Sequence, residues 1–130
     1  MLTAIRFDIM MPDAVKDLEI VTNRKAVTRI LALLLENANK FTEKGMVSLR
    51  VVPKQSYVYF LVEDTGVGVP PEEAEHIFEH FVQLDDNKEG TGIGLSLARS
   101  LARRLGGDVI LDTSYTFGAR FVFFLPLNQG

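Results

Sequence analysis

The chain has 130 residues, 47% of them hydrophobic, with 17 acidic and 14 basic side chains, a formal net charge of -3 and no cysteine. That length suits one domain with a real core, and the lack of cysteine excludes disulfides and thiolate chemistry. Basic residues cluster only at Arg99, Arg103 and Arg104, which excludes a nucleic-acid footprint built on counterion release. The apolar run 30–35 is too short to cross a bilayer and no leader pattern precedes it, so a soluble domain without direct membrane contact is expected.

Residues 4–10 alternate Ile5, Phe7 and Ile9 with Arg6 and Asp8, the period of a strand with one wet face. Pro12 and Asp13 break it. A short strand is expected over 19–22, and then a helix capped by Thr22 or Asn23. In it Val27, Ile30, Leu31, Leu34, Leu35 and Ala38 recur at three- and four-residue steps, one stripe against a core. Gly45 is expected to end it. Asn37 and Lys40, three apart, share one side of this helix off the stripe, next to Glu36.

Val47, Leu49 and Val51 alternate with polar neighbours, and residues 57–63 repeat the alternation after a turn over 53–56, which predicts a hairpin. Asp64 ends the second strand and precedes Gly66 and Gly68, so its carboxylate can be held at the floor of a cleft. A short helical piece over 71–81 and an acidic, mobile stretch over 84–89 are expected next. The segment 90–95 then offers the free amides of Gly90, Gly92 and Gly94 at the start of a helix from about 94. Leu97, Leu101 and Leu105 mark that helix, and Gly106 with Gly107 stops it. Strands over 108–113 and 118–127 close the chain. The expected architecture is an α+β two-layer sandwich over residues 1–130, a mixed sheet covered on one face by about three helices.

The stretch from His76 to His80 matches the zinc spacing H-x-x-E-H. Pro70 and Pro71 leave only a short helix there and no third acidic ligand stands out, so partly exposed histidines beside a mobile loop are the better reading.

Four segments occur in a fixed order: ENANKFTEKG at 36–45, DTGVGVP at 64–70, IFEHF at 77–81 and GTGIGL at 90–95. Together they resemble the N box, first glycine box, F box and second glycine box of the GHKL ATPases, most closely the ATP-binding domain of sensor histidine kinases. The resemblance implies the Bergerat ATP-binding fold and a Mg2+-ATP ligand. It gives the amide oxygen of Asn37 to magnesium and the ammonium of Lys40 to the phosphates. Glu36 takes the acidic position that orients water or acts as a base in some members. Asp64 meets the exocyclic amine of adenine, Gly66 and Gly68 admit the base, and Gly90, Thr91, Gly92, Ile93, Gly94 and Leu95 form the phosphate loop.

Two positions depart from the family pattern. Leu33 stands where a second Asn is usual, and Arg120, in GARF at 118–121, replaces a hydroxyl residue. The resemblance implies phosphoryl transfer to a histidine on a separate dimerisation and phosphoacceptor domain of the same kinase, and indirectly to a response regulator. Neither His76 nor His80 fits that acceptor. A monomeric, cytoplasmic catalytic piece of a longer sensor kinase is the expectation, with a serine-directed kinase of the superfamily and a non-catalytic nucleotide-sensing module as alternatives.

Overall fold

The computed structural model describes residues 5–10 as backbone, and residues 23–42, 45–79 and 94–126 in full. The expected strand over 19–22, the break at Pro12 and Asp13, and the stretch over 84–89 lie outside these residues. Strands Ile5–Met10 (β1), Gly45–Lys54 (β2), Tyr57–Asp64 (β3), Asp108–Leu111 (β4) and Arg120–Pro126 (β5) build one sheet in the order β1-β2-β3-β5-β4. The β1–β2 pair is parallel and the others antiparallel, so the sheet is mixed. Helices Arg24–Lys40 (α1) and Gly94–Arg104 (α2) pack on each other and on the sheet. This is the α+β two-layer arrangement expected.

The layers follow from alternation. Val47 and Val51 of β2, Val58, Phe60 and Val62 of β3, Val109 of β4 and Phe121, Phe123 and Leu125 of β5 are all buried, with register pairs Val51↔Phe60, Phe60↔Phe123 and Val109↔Phe123. On α1, Ile30, Leu34 and Ala38 are fully buried, and Val27, Leu31 and Leu35 pack beside them. Asn23 caps this helix, its side-chain oxygen accepting the Ala26 amide at 3.1 Å.

Gly45 does not end α1. The helix stops at Lys40, where the Phe41 amide turns back to the Asn37 carbonyl, and Gly45 instead opens β2 against the Thr65 side chain. The hairpin turn is also tighter than expected. Only Gln55 and Ser56 lie between the strands, while Pro53 belongs to β2 and pairs with Val58. Among the described residues β1 pairs only as far as Arg50, so Pro53 has no strand partner there on its β1 side and its missing N–H breaks no ladder bond among them.

The segment expected as a helix over 71–81 forms two separate 310 turns, Pro71–Glu73 and His76–Phe78. On α2, Ala98 and Ala102 are fully buried and Leu101 and Leu105 only partly. Small residues let α2 approach α1 closely, which a leucine stripe would not. Gly106 and Gly107 close α2 as expected, their amides donating to the Arg103 and Ala102 carbonyls with Gly106 at φ +89°. Among the described residues no helix is long and apolar enough to cross a membrane.

Candidate functional site

The end of α1, the loop after β3 and the start of β5 meet at one edge of the sheet. Asn37 and Lys40 are half-buried on the last turns of α1, and Glu36 is exposed. One residue past the helix cap, Thr42 is fully buried and its Oγ1 has no hydrogen-bond partner among the described residues. Gly66 packs directly on this end, where a Cβ would stand 2.2 Å from the Phe41 carbonyl oxygen and 2.9 Å from Thr42 Oγ1. Glycine is therefore required at 66 by the protein's own packing, before any ligand is considered. Gly68, at φ +75°, lies against the Gly118 carbonyl.

Asp64 is the focus of this edge. It is 3% exposed, and its Oδ1 accepts the amides of Gly66 at 2.9 Å and Ala119 at 3.1 Å. Its own amide donates to the Ala119 carbonyl at 2.9 Å, and the Tyr115 hydroxyl lies 3.4 Å from its carbonyl oxygen. Burial pushes the carboxyl above its ordinary range, against the pull of the two amide hydrogen bonds. Oδ2 has no hydrogen-bond partner among the described residues. A fixed carboxylate with one oxygen committed and one open is built to accept from a donor such as an amino group.

The second glycine box is described only from Gly94. Gly94 and Leu95 begin α2, and a Cβ on Gly94 would stand 3.9 Å from Leu33 Cδ2. The N terminus of α2 therefore faces the middle of α1, with an apolar side chain between them. Gly90, Thr91, Gly92 and Ile93 lie outside the described residues, as do His80 and Phe81.

Arg120 turns out not to face this edge. It donates to Glu63 and to Asp112, the latter at 2.9 Å, and its guanidinium lies 4.4 Å from the Tyr115 ring centroid. Glu63 also takes two hydrogen bonds from Arg50, at 2.9 and 3.0 Å. Because Glu63 and Asp64 are consecutive on a strand, this cluster occupies the opposite face of the sheet.

The remaining sequence candidates serve structure. Phe78 is 6% exposed, packed edge-on against Phe121 and covered by the Arg99 guanidinium 3.7 Å from its centroid. Two members of the basic cluster are engaged in pairing, Arg99 with Glu75 and Asp108, and Arg103 with Asp108. A groove of about 440 Å³ along α2, lined by Phe78, Ser96, Arg99, Ser100, Arg103 and Arg104, includes none of the predicted site residues. His76 Nδ1 lies 3.2 Å from the Glu79 carboxylate, and no group of three metal-ligating side chains occurs among the described residues.

Sequence reasoning missed Ala119 and Thr42. Ala119 contributes only its backbone N–H and carbonyl, which leave no side-chain signal. Thr42 lies within the first of the four segments, and its place just past the end of α1 was the available sign.

The chain is 36% identical over 109 residues to the aerobic respiration control sensor protein ArcB of Escherichia coli, covering 79% of this chain and 14% of that protein. It is 39% identical over 107 residues to the sensor protein RstB of the same species, covering 79% of this chain and 24% of that one. It thus spans about a quarter or less of these relatives' length. Among solved structures, the catalytic domain of histidine kinase ThkA matches with a TM-score of 0.82 at 27% identity, covering 95% of this chain and 79% of that one. Full-length ShkA in complex with AMPPNP matches with a TM-score of 0.80 at 32% identity, covering 97% and 26%. A family model matches residues 22–129, and the chain belongs to the histidine kinase-, DNA gyrase B-, and HSP90-like ATPases.

Proposed function

We propose that this chain is the nucleotide-binding catalytic part of a longer, multi-domain sensor histidine kinase. It binds ATP with magnesium and presents the γ-phosphate to a histidine on a separate dimerisation and phosphoacceptor domain. From there the phosphoryl group passes to a response regulator in two-component signalling. The observation that carries this reading is the Asp64 carboxylate, buried at the meeting point of α1, the first glycine loop and β5, with Oδ1 held by two backbone amides. Its open oxygen accepts the exocyclic amine of adenine, and guanine, with a carbonyl there, is rejected.

Gly66 and Gly68 line the base, and Asn37 and Lys40 reach the phosphates from the last turns of α1. The Asn37 amide oxygen supplies a single hard ligand to magnesium. A nucleotide-bound magnesium needs only one or two protein ligands beside phosphate oxygens and water, so the lack of a carboxylate cage among the described residues fits. Magnesium neutralises phosphate charge when bound. Gly90, Thr91, Gly92, Ile93, Gly94 and Leu95 surround the phosphates, with Gly94 and Leu95 at the positive end of α2. Glu36, exposed one residue before Asn37, is placed to orient the incoming group. The acceptor imidazole attacks the γ-phosphorus as the bond to the β–γ bridging oxygen breaks, and ADP leaves. The domain itself is monomeric and cytoplasmic in this reading.

The test supplies labelled ATP, magnesium and the dimerisation domain of a related kinase. An acid-labile phosphoprotein is the expected product. An acid-stable product means a serine-directed kinase. Tight ATP binding with no product means a nucleotide-sensing module, a reading that Leu33 beside Gly94 favours. In the same assay Asn37→Ala is expected to abolish the difference in ATP affinity with and without EDTA.

A further inference from the structure

We propose that Arg120, on the face of the sheet opposite the nucleotide edge, is a positioning residue for base selectivity that acts through the Ala119 amide. The inference rests on the reading of Asp64 as the adenine acceptor. Asp64 is oriented by the Ala119 N–H on Oδ1, and the reciprocal bond from the Asp64 amide to the Ala119 carbonyl closes a ring between the two segments. Where residues 118 and 119 sit therefore decides where the open carboxylate oxygen points.

Three contacts of Arg120, one through its backbone and two through its side chain, add to the Asp64–Ala119 pair in holding that segment in place. Its carbonyl accepts the Asp112 amide at 2.9 Å. Its guanidinium bridges Glu63, its register partner on β3, to Asp112 on the loop after β4. It also covers the ring of Tyr115, whose hydroxyl approaches the Asp64 carbonyl. Burial works against the charge of Arg120, but the hydrogen bonds to Asp112 and Glu63 more than restore it. From the other side Gly118 is pressed so close that a Cβ would stand 2.0 Å from the Asp64 carbonyl oxygen and 2.9 Å from Oδ1. Residues 118–120 are thus clasped against 63–64 from both faces of the sheet.

Removing Arg120 strands no charge, which makes the idea testable. Glu63 keeps both bonds from Arg50, and Asp112 keeps the Ser114 amide at 3.0 Å and hydroxyl at 2.6 Å. The backbone bond from the Asp112 amide remains, so what is lost is the side-chain part of the tether, and with it the firm aim of the Ala119 donor at Oδ1. The experiment measures affinity for Mg-ATP and for Mg-ITP, which carries a carbonyl oxygen in place of the exocyclic amine, by calorimetry. It compares the wild-type chain with Arg120→Ala, Arg120→Lys and Tyr115→Phe, each checked by thermal melting.

Arg120→Ala is expected to lower ATP affinity about five- to tenfold, the effect of one hydrogen bond, and to leave ITP nearly unchanged, so the ATP-to-ITP ratio shrinks. Lys, which cannot bridge two carboxylates as Arg does, is expected to restore only part of it. Equal losses for both nucleotides, or none, overturn the proposal. If Arg120→Ala fails to fold, wild-type ratios in both Arg120→Lys and Tyr115→Phe overturn it as well. A wild-type chain that does not distinguish ATP from ITP defeats the Asp64 reading instead.

Discussion

A buried carboxylate loses hydration, and Asp64 recovers only part of that loss through its two amide donors. The consequence appears in opposite directions for stability and for binding. Because the folded pKa is raised, the contribution of Asp64 to stability is full below its unfolded value and is lost as pH rises through the folded one. Asp64→Asn removes that loss, so the variant is expected to melt no lower than wild type at pH 7. Its ATP affinity should fall about 10- to 100-fold, the effect of a hydrogen bond to a charged group. Wild-type affinity should also decline as pH falls through the raised pKa, with no such limb in the variant. Melting curves and calorimetric titrations at several pH values read both effects. Asp64 itself was legible from its place between a strand and two glycines, whereas its partner Ala119 was not, because a backbone donor 55 residues away has no sequence signature.

The two helices differ in how openly the sequence announces them. Along α1 the apolar spacing and the Asn23 cap both match the structure, because propensity and packing ask for the same residues there. On α2 the visible leucines are not its most buried face. Ala98 and Ala102 are, together with Arg99, a charged residue that hydropathy assigns to solvent. Arg99 fastens α2 to its surroundings through the Val109 carbonyl at 3.0 Å and Glu75 at 2.9 and 3.2 Å. It also covers Phe78 of the second 310 turn.

The Arg99–Glu75 pair is lopsided, since the Glu75 side chain is 79% exposed and that of Arg99 only 10%. Arg99→Met should therefore cost about 1 to 3 kcal/mol, having left the Val109 carbonyl unpaired. Glu75→Gln should cost less than about 1 kcal/mol, as exposed ion pairs do. Urea denaturation of the two variants measures the asymmetry, and equal losses would show that Arg99 draws most of its stabilisation from Glu75.

At the scale of the molecule, the mixed sheet and its helical cover were legible from alternation and from the order of the elements. The strand order was not, because β5 inserts between β3 and β4 and nothing local encodes that neighbour. The insertion gathers the candidate site, since Gly118 and Ala119 reach Asp64 only when β5 lies beside β3. A ligand that binds this gathered edge stabilises the folded chain by mass action, about 2.7 kcal/mol at a hundred times its dissociation constant. ATP with magnesium is therefore expected to raise the melting temperature in a concentration-dependent way, and ITP to raise it less.

The distance in sequence between β3 and β5 also sets an order of events during synthesis. Tyr57 pairs with Pro126 and Glu63 with Arg120, so closing this ladder means closing a loop over residues 64–119, more than two fifths of the chain. Such closures carry an entropic cost that local hairpins do not. The β2–β3 hairpin can form as soon as it is made, but Asp64 waits for β5 to emerge before it meets Ala119. A ribosome-bound chain that stops short of β5 holds its acidic group without the amide that aims it, and competence to recognise a base arrives only with that strand.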